Sequence, residues 1–200
     1  MIHPIIQSKI ERGESIIIEL GCGNSKPKGS IGVDMVQLEN VDIVANIEEG
    51  LGFIPDNSVD IISSRHFLEH VQNYELLIKE IHRVLKPSGI HKAIVPYFAN
   101  PHYYSDYTHK NTFGIYSFDY FATSETQLKR KVPTFYNDIR FDIIKRDLNF
   151  KSQFFIRNIL KRIPKAIFNI SNYWKELYEE SFSYMFPCSE IYFEMKPKKD

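Results

Sequence analysis

Residues 16–35 read IIIELGCGNSKPKGSIGVDM and decide the fold. The run 16–20 is β-branched and nearly all apolar, which predicts a strand that is covered on both faces of a parallel sheet. Gly21 and Gly23 follow it, and a second short strand is predicted at 30–34, ending on Asp34. Parallel strands normally need a crossover of about a dozen or more residues. Only ten residues separate Leu20 from Ile31, so we expect the first helix to be a single turn or missing.

The rest of the chain continues the alternation of strands and helices. Further strands are predicted at 41–46, 59–63, 90–96, 140–150 and 189–199. Between two of them, helical spacing joins the apolar residues Leu76, Leu77, Ile81, Val84 and Leu85, and the segment 87–89 (PSG) is expected to stop that helix. The last two strands alternate in polarity and are expected to pair antiparallel. The pattern predicts an α/β fold with a mostly parallel seven-stranded sheet and an antiparallel edge strand.

Composition favours one globular domain over residues 1–200. The chain has 25 Lys and Arg against 25 Asp and Glu, so its net charge gives no reason to expect a nucleic-acid partner. Two cysteines far apart argue against a disulfide framework, and we expect a reducing, cytoplasmic location. The N-terminal residues lack a long apolar segment and no membrane-spanning run occurs, so neither export nor a membrane span is expected.

The glycine loop indicates a cofactor that contains a ribose but no phosphates. A dinucleotide fingerprint requires a third glycine and a helix N-terminus, whereas this chain has Lys26 at the third position and little room for a helix. Asp34 is expected to accept hydrogen bonds from both ribose hydroxyls. Glu19 or Asn24 is expected to meet a charged amino group of the cofactor.

Four ordered segments carry a family resemblance: ELGCGN at 19–24, VDM at 33–35, FIPDNSVDIISSRHFLEHV at 53–71 and EIHRVLKPSG at 80–89. With them, residues 15–100 resemble the class I S-adenosylmethionine-dependent methyltransferases, particularly the type 11 branch. The resemblance implies their Rossmann-like fold. Residues 102–121 (HYYSDYTHKNTFGIYSFDYF) are similar to the Asp-x-Thr-His-Lys segment of a subgroup found near surface-polysaccharide genes.

The resemblance also implies a set of residues that bind S-adenosylmethionine. Gly21, Cys22 and Gly23 would line its methionine part, and Asp34, followed by Met35, would bind the ribose. Asn46 stands where the family usually has Asp and would accept from the adenine amino group. Ile47 would supply backbone to the ring. Ser64 or Arg65 would face the methionine.

The reaction implied is methyl transfer to an oxygen or nitrogen of a small-molecule or saccharide acceptor. The candidate residues that would accept or orient a proton are His66, His102, Asp106 and His109. His70 is expected to be structural. His102, Asp106 and His109 also suit zinc, but loops with His and Asp usually hold no metal, and we expect none. A noncatalytic methyltransferase-like partner module and a nicotinamide-dependent oxidoreductase stay open as alternatives.

A helical insert is expected at 151–187, between the last two strands. Its segment 151–175 has six Lys and Arg and no acid, with a break expected at Pro164. One helical stripe joins the apolar residues Phe155, Ile156, Ile159, Leu160 and Ile163. The expected role is a helix pair that closes over the sheet or forms a homodimer contact. Peripheral contact with an anionic membrane surface is the alternative.

Overall fold

A computed structural model describes residues 2–199 as a seven-stranded sheet with helices around it. The strands are β1 (Ile17–Leu20), β2 (Ile31–Asp34), β3 (Ile43–Val44), β4 (Val59–Arg65), β5 (Leu85–Pro96), β6 (Arg140–Asn149) and β7 (Glu190–Lys198). Their order is β3-β2-β1-β4-β5-β7-β6. β7 pairs antiparallel with both β5 and β6, and the remaining pairs are parallel. The predicted α/β fold is therefore confirmed, with the reversed strand one position in from the edge.

The first crossover contains two turns in place of a helix. Within residues 2–199, no helix lies between Leu20 and Ile31; Ser25 N donates to the Cys22 carbonyl and Ser30 N to the Pro27 carbonyl. This confirms the expectation from the short connection. One face of the sheet is left open beside β1, β4 and β5, where a cavity of about 680 Å³ lies.

The helices are α1 (Pro4–Glu11), α2 (Tyr74–Val84), α3 (Phe155–Leu160), α4 (Arg162–Phe168) and α5 (Asn172–Leu177). A π-helical turn, Tyr178–Phe182, follows α5. Helices α3 to α5 connect β6 to β7. The expected break at Pro164 was wrong: the helix is interrupted at Lys161, between α3 and α4, and Pro164 lies in the first turn of α4. Proline is tolerated there because the first backbone N–H groups of a helix have no partner within it.

α2 packs on the sheet through four buried residues at helical spacing, Leu77, Ile78, Ile81 and Val84. Leu76, expected on that face, is instead 38% exposed. The helix ends at Val84 because Leu85 adopts an extended conformation. β5 thus begins at Leu85, before the segment expected to stop the helix, and its pairing with β4 is irregular until Ile90. At the other edge β3 has only two residues, fewer than expected, and pairs only with β2.

Candidate functional site

A cavity of about 930 Å³ lies beyond the carboxyl ends of β1, β2 and β4. This is where parallel α/β sheets bind ligands. Six residues of the predicted site line it: Gly21, Asp34, Met35, Asn46, Ile47 and His66. Polar and aromatic residues that the sequence did not single out for ligand binding line it too: Glu48, Phe67, His70, Gln72, Asn73 and Lys110. The structure thus brings Asp34 and Asn46, the positions expected to meet ribose and adenine, together with a set of side chains from later segments.

Gly21 forms the floor of this cavity where β1 ends. Its φ of +62° lies in the left-handed region, and a Cβ there would stand 2.2 Å from Cδ2 of Phe67. Its N–H donates to the Val33 carbonyl at 2.9 Å. Only glycine therefore allows the backbone to turn under the Phe67 ring.

Asp34 is held by the glycine loop that it faces. Its Oδ2 accepts from Gly23 N at 2.9 Å, and its Oδ1 accepts from Val36 N at 3.1 Å. Each carboxylate oxygen can accept two hydrogen bonds, so both oxygens keep capacity for a ligand. The half-buried Asp34 is thereby fixed at the cavity while it can still accept from a ribose.

Asn46 begins a 3₁₀ turn, and Glu48 ties that turn to the opposite wall of the cavity. Asn46 Oδ1 accepts from Glu48 N at 3.2 Å, and its Nδ2 donates to Glu49 Oε1 at 2.8 Å. The Glu48 carboxylate accepts from Gln72 N at 2.6 Å and from Asn73 N at 2.9 Å. The Asn46 oxygen still has a lone pair for an adenine amino group.

Five predicted cofactor residues line the other cavity, beside the short first crossover: Glu19, Gly21 (which lines both cavities), Cys22, Ser64 and Arg65. Glu19 lies opposite Ser63 in the β1–β4 register and accepts its hydroxyl hydrogen bond. Burial raises the pKa of Glu19 and also of the Cys22 thiol. Gly23 and Asn24 lie just outside the lining of both cavities. Side chains alternate between the faces of a strand, and the Glu19 side chain lies on the face that carries this second cavity.

His66 is a charged residue between two carboxylates. It follows β4 with a left-handed φ of 48°, which is uncommon outside glycine. Its Nε2 lies 3.0 Å from Glu190 Oε2, and its Nδ1 lies 3.5 Å from Glu69 Oε1. The Glu190 carboxylate, and after it the Glu69 carboxylate, accepts from the ring of His66, and these contacts raise the pKa of His66 to about 9. Burial opposes ionisation of Glu190, but hydrogen bonds from His66 and Lys151 outweigh it and lower the pKa of Glu190 to about 2.

The segment 106–110 (DYTHK) packs against the loop after β4. Lys110 N and Asn111 N both donate to the Glu69 carbonyl, at 2.7 and 3.0 Å. The His70 and His109 rings are 4.9 Å apart. His70, expected to be structural, therefore lines the ligand cavity in contact with His109. The signal in the sequence was its spacing of four residues from His66, which places both on the same loop.

His102 lies elsewhere. It lines a separate cavity of about 390 Å³ with Asn100 and Lys151. Its backbone N–H donates to Asn100 Oδ1 at 3.0 Å. Of the four candidate catalytic residues, His66 lines the ligand cavity and Asp106 and His109 lie next to it through the His70 contacts, but His102 does not.

Comparison with known proteins agrees with this arrangement. Residues 18–92 match the methyltransferase domain family of type 11, from β1 into β5. No curated protein matches the chain.

Three solved structures share the fold over nearly the whole chain. The YcgJ protein of Bacillus subtilis is 17% identical, with 98% of each chain covered and a TM-score of 0.54. An S-adenosylmethionine-dependent methyltransferase of Archaeoglobus fulgidus is 17% identical, with 97% of this chain and 93% of that chain covered and a TM-score of 0.52. A chain from the Haloferax volcanii complex of the Trm112 methyltransferase activator with a methyltransferase is 13% identical, with 93% and 83% covered and a TM-score of 0.55. At these identities the likeness establishes the fold alone.

The matched residues include the glycine loop as well as Asp34 and Asn46. Of these, Gly21, Asp34 and Asn46 line the cavity of about 930 Å³. The match over residues 18–92 and the shared fold support a methyltransferase, an enzyme that uses S-adenosylmethionine as its cofactor.

Proposed function

We propose that the protein transfers the methyl group of S-adenosylmethionine to an oxygen or nitrogen of a small-molecule or saccharide acceptor that binds beside His70 and Lys110. One observation carries this proposal: residues of a single cavity come from both sides of β1. Asp34 and Asn46 follow β2 and β3 on one side, and His66 and His70 follow β4 on the other. The nucleoside would occupy the first side and the acceptor the second.

The chemistry requires alignment more than activation of the donor. The sulfonium already activates the methyl group, so the protein must hold a nucleophile in line with the methyl carbon and allow its proton to leave. His66 was a candidate base, but its two carboxylate partners keep it protonated at neutral pH. We therefore assign His66 the role of a fixed positive charge for a carboxylate of the cofactor or acceptor. Asp106 and His109 are proposed to orient or accept the proton of the acceptor next to His70. His102 lines a different cavity and is given no role in the reaction.

Calorimetric titration of the purified protein with S-adenosylmethionine and its demethylated product tests the cofactor site. Asp34→Ala is expected to weaken binding at least about tenfold, because hydrogen bonds to a charged group contribute about 1.5–3 kcal/mol each. The exposed Asp138→Ala is the matched control and should bind normally. Binding of NAD but not S-adenosylmethionine would favour an oxidoreductase. Binding of neither would favour the noncatalytic module.

The apolar stripe on α3 and α4 supports a proposal about where the enzyme works. Its residues do not close over the sheet as expected: Phe155, Ile156, Ile159, Leu160 and Ile163 are all 45% exposed or more. The helices are anchored mainly through Phe168, which packs on Phe150 and Tyr178. Arg157, Arg162 and Lys165 are exposed on the same two helices, and residues 151–175 contain no acid.

We propose that this stripe, defined as the five apolar residues above, contacts an anionic membrane surface. Its basic and apolar composition matches the requirements of an interfacial helix, and a lipid-linked saccharide would then be a suitable acceptor. Within residues 2–199, no helix has the length and apolar content that a membrane crossing needs. Both cysteines are free thiols, which supports the proposed cytoplasmic location.

Sedimentation with vesicles of phosphatidylcholine, with and without phosphatidylglycerol, tests the membrane contact. Wild-type protein is expected to pellet only with the anionic vesicles, and Ile156→Ser should reduce the pelleted fraction. Ile144→Ser is the control, because Ile144 is also an exposed isoleucine (55%, against 71% for Ile156) but lies on β6. No dependence on anionic lipid would refute the proposal. A concentration-dependent dimer that Ile156→Ser dissociates would assign the stripe to a homodimer interface.

A further inference from the structure

A group of three metal-binding side chains lies beside the ligand cavity. Glu69, His70 and His109 each offer one ligand atom within 4.8 Å of the other two. Glu69 is 1% exposed, and its Oε2 has no hydrogen-bond partner within residues 2–199. A buried carboxylate oxygen without a partner is costly. His66 Nδ1 lies 3.5 Å from Glu69 Oε1, so Oε2 is the oxygen left free for a further donor or a cation.

The His109 ring presents a lone pair rather than a proton toward this group. Its Nδ1 lies 2.9 Å from the Tyr103 carbonyl oxygen. A carbonyl oxygen can only accept, so Nδ1 carries the proton, and the neutral ring has its lone pair on Nε2. Histidine ligands of metals are commonly held in this way. His109 is only 11% exposed, which limits the geometries that its ring can adopt.

A relay of hydrogen bonds gives His70 the same tautomer. Asp106 Oδ1 accepts from the Thr108 hydroxyl at 2.5 Å and from Thr108 N at 2.9 Å. Because the single hydroxyl proton of Thr108 is used there, its oxygen accepts from His70 Nδ1 at 2.9 Å. The neutral His70 ring therefore also has its lone pair on Nε2. The segment 106–110 thus orients both imidazoles.

We propose that Glu69, His70 and His109 bind a divalent cation of the zinc type, with Asp106 and Thr108 as positioning residues. Two imidazole nitrogens and one carboxylate oxygen suit zinc better than magnesium. Ligands of a tetrahedral zinc ion lie about 3.4 Å apart, so the side chains must close by about an ångström. Three protein ligands leave one position open, and His70 lines the ligand cavity. Asp106 Oδ2 lies 3.6 Å from His109 Nε2 and adds negative charge beside the proposed cation.

The consequence for catalysis rests on the proposed function. An acceptor hydroxyl bound at the open position would lose its proton to water more readily, because the cation lowers its pKa. The oxygen would then form a bond to the methyl carbon while the carbon–sulfur bond breaks, and sulfur keeps that electron pair. A separate imidazole base is not needed in this scheme.

Titration of chelator-treated full-length protein with ZnCl₂ and, separately, CoCl₂ tests the site by calorimetry and by cobalt absorption. The protein is expected to bind one equivalent of zinc or cobalt and no magnesium from MgCl₂. His109→Ala should weaken zinc binding by more than about 100-fold. Thr108→Val keeps the ligands and removes the relay, so a loss of about 10- to 100-fold is expected. His3→Ala is the control, because His3 lies at the start of α1, outside the site. Circular dichroism checks folding, and Glu69→Gln replaces His109→Ala if the latter does not fold.

No stoichiometric zinc binding by the wild type, or binding that neither His109→Ala nor Thr108→Val weakens, would overturn the proposal. Titration of the same chelated protein with S-adenosylmethionine separates this result from the fate of the proposed function. Cofactor binding without zinc binding would refute the metal-site proposal and leave the methyltransferase proposal intact. Zinc binding without cofactor binding would support the metal site and refute the methyltransferase proposal.

Discussion

Substitution of Gly21 by alanine tests how the glycine loop builds the cofactor cavity. Gly21 and Gly23 both have positive φ, +62° and +50°. At Gly21 an added methyl group would lie 2.2, 2.5 and 2.9 Å from Cδ2, Cγ and Cβ of Phe67, whereas at Gly23 no atom lies within 4 Å. The two positions therefore separate the cost of backbone conformation from the cost of steric contact.

The structure sets the expected sizes of the two effects. A left-handed conformation costs an alanine about 1 kcal/mol, so Gly23→Ala should lower the free energy of unfolding by about that amount. Gly21→Ala has the same cost and also collides with Phe67. Because the contact includes Cβ, rotation of the ring cannot relieve it fully, and overpacking adds about 1–3 kcal/mol. The expected total for Gly21→Ala is about 2–4 kcal/mol.

Urea denaturation of both variants measures these costs, and calorimetry measures their affinity for S-adenosylmethionine. We expect Gly21→Ala to bind S-adenosylmethionine about tenfold more weakly than Gly23→Ala, because the added methyl group pushes the Phe67 ring into the cavity. A loss of only about 1.4 kcal/mol in binding free energy gives that factor. The Phe67→Ala background should remove most of the difference in unfolding free energy. Equal unfolding free energies for the two glycine variants in the wild-type background would refute the role of Phe67.

Two further predictions concern charged residues. His66→Gln should destabilise the protein by about 1–2 kcal/mol at pH 6, a figure reduced for the 45% exposure of the side chain. Because the folded pKa is raised from 6.5 to about 9, this difference should be full below pH 6.5 and vanish as the pH rises through 9; a difference that grows with pH in urea titrations would contradict it. Asp119→Ala leaves the buried Arg146 without its ion-pair partner, so thermal unfolding should report a loss of about 3–5 kcal/mol. A loss under about 1 kcal/mol would show that water reaches Arg146.

Most of the fold could be predicted because its signals are local. Apolar runs, helical spacing and glycine positions depend on residues close in sequence, so the seven strands and the missing crossover helix could be predicted. The exact ends of the elements were harder to predict. β5 starts at Leu85 rather than Ile90 because pairing with Val59 of β4 extends it. That pairing is a property of the assembled sheet.

The candidate site divides in the same way. Gly21, Asp34 and Asn46 were predicted and line the cavity, because each lies at the end of a strand or within two residues after it. Glu19 and Arg65 were assigned to the same place but line the opposite cavity. The face on which a strand side chain lies depends on register and on what covers each face. The absence of a helix in the first crossover leaves that second cavity open.

The sequence by itself determined that a strand, a glycine turn, a second strand and an acid follow one another over residues 16–35, because backbone preference and strand burial act over a few residues. Only the tertiary structure decided the protonation and pairing of the histidines. His70 meets Thr108 across 38 positions of sequence, and His66 meets Glu190 across 124. Contacts of this range form only when the sheet brings the segments together, and they set the charge of His66 and the tautomer of His70.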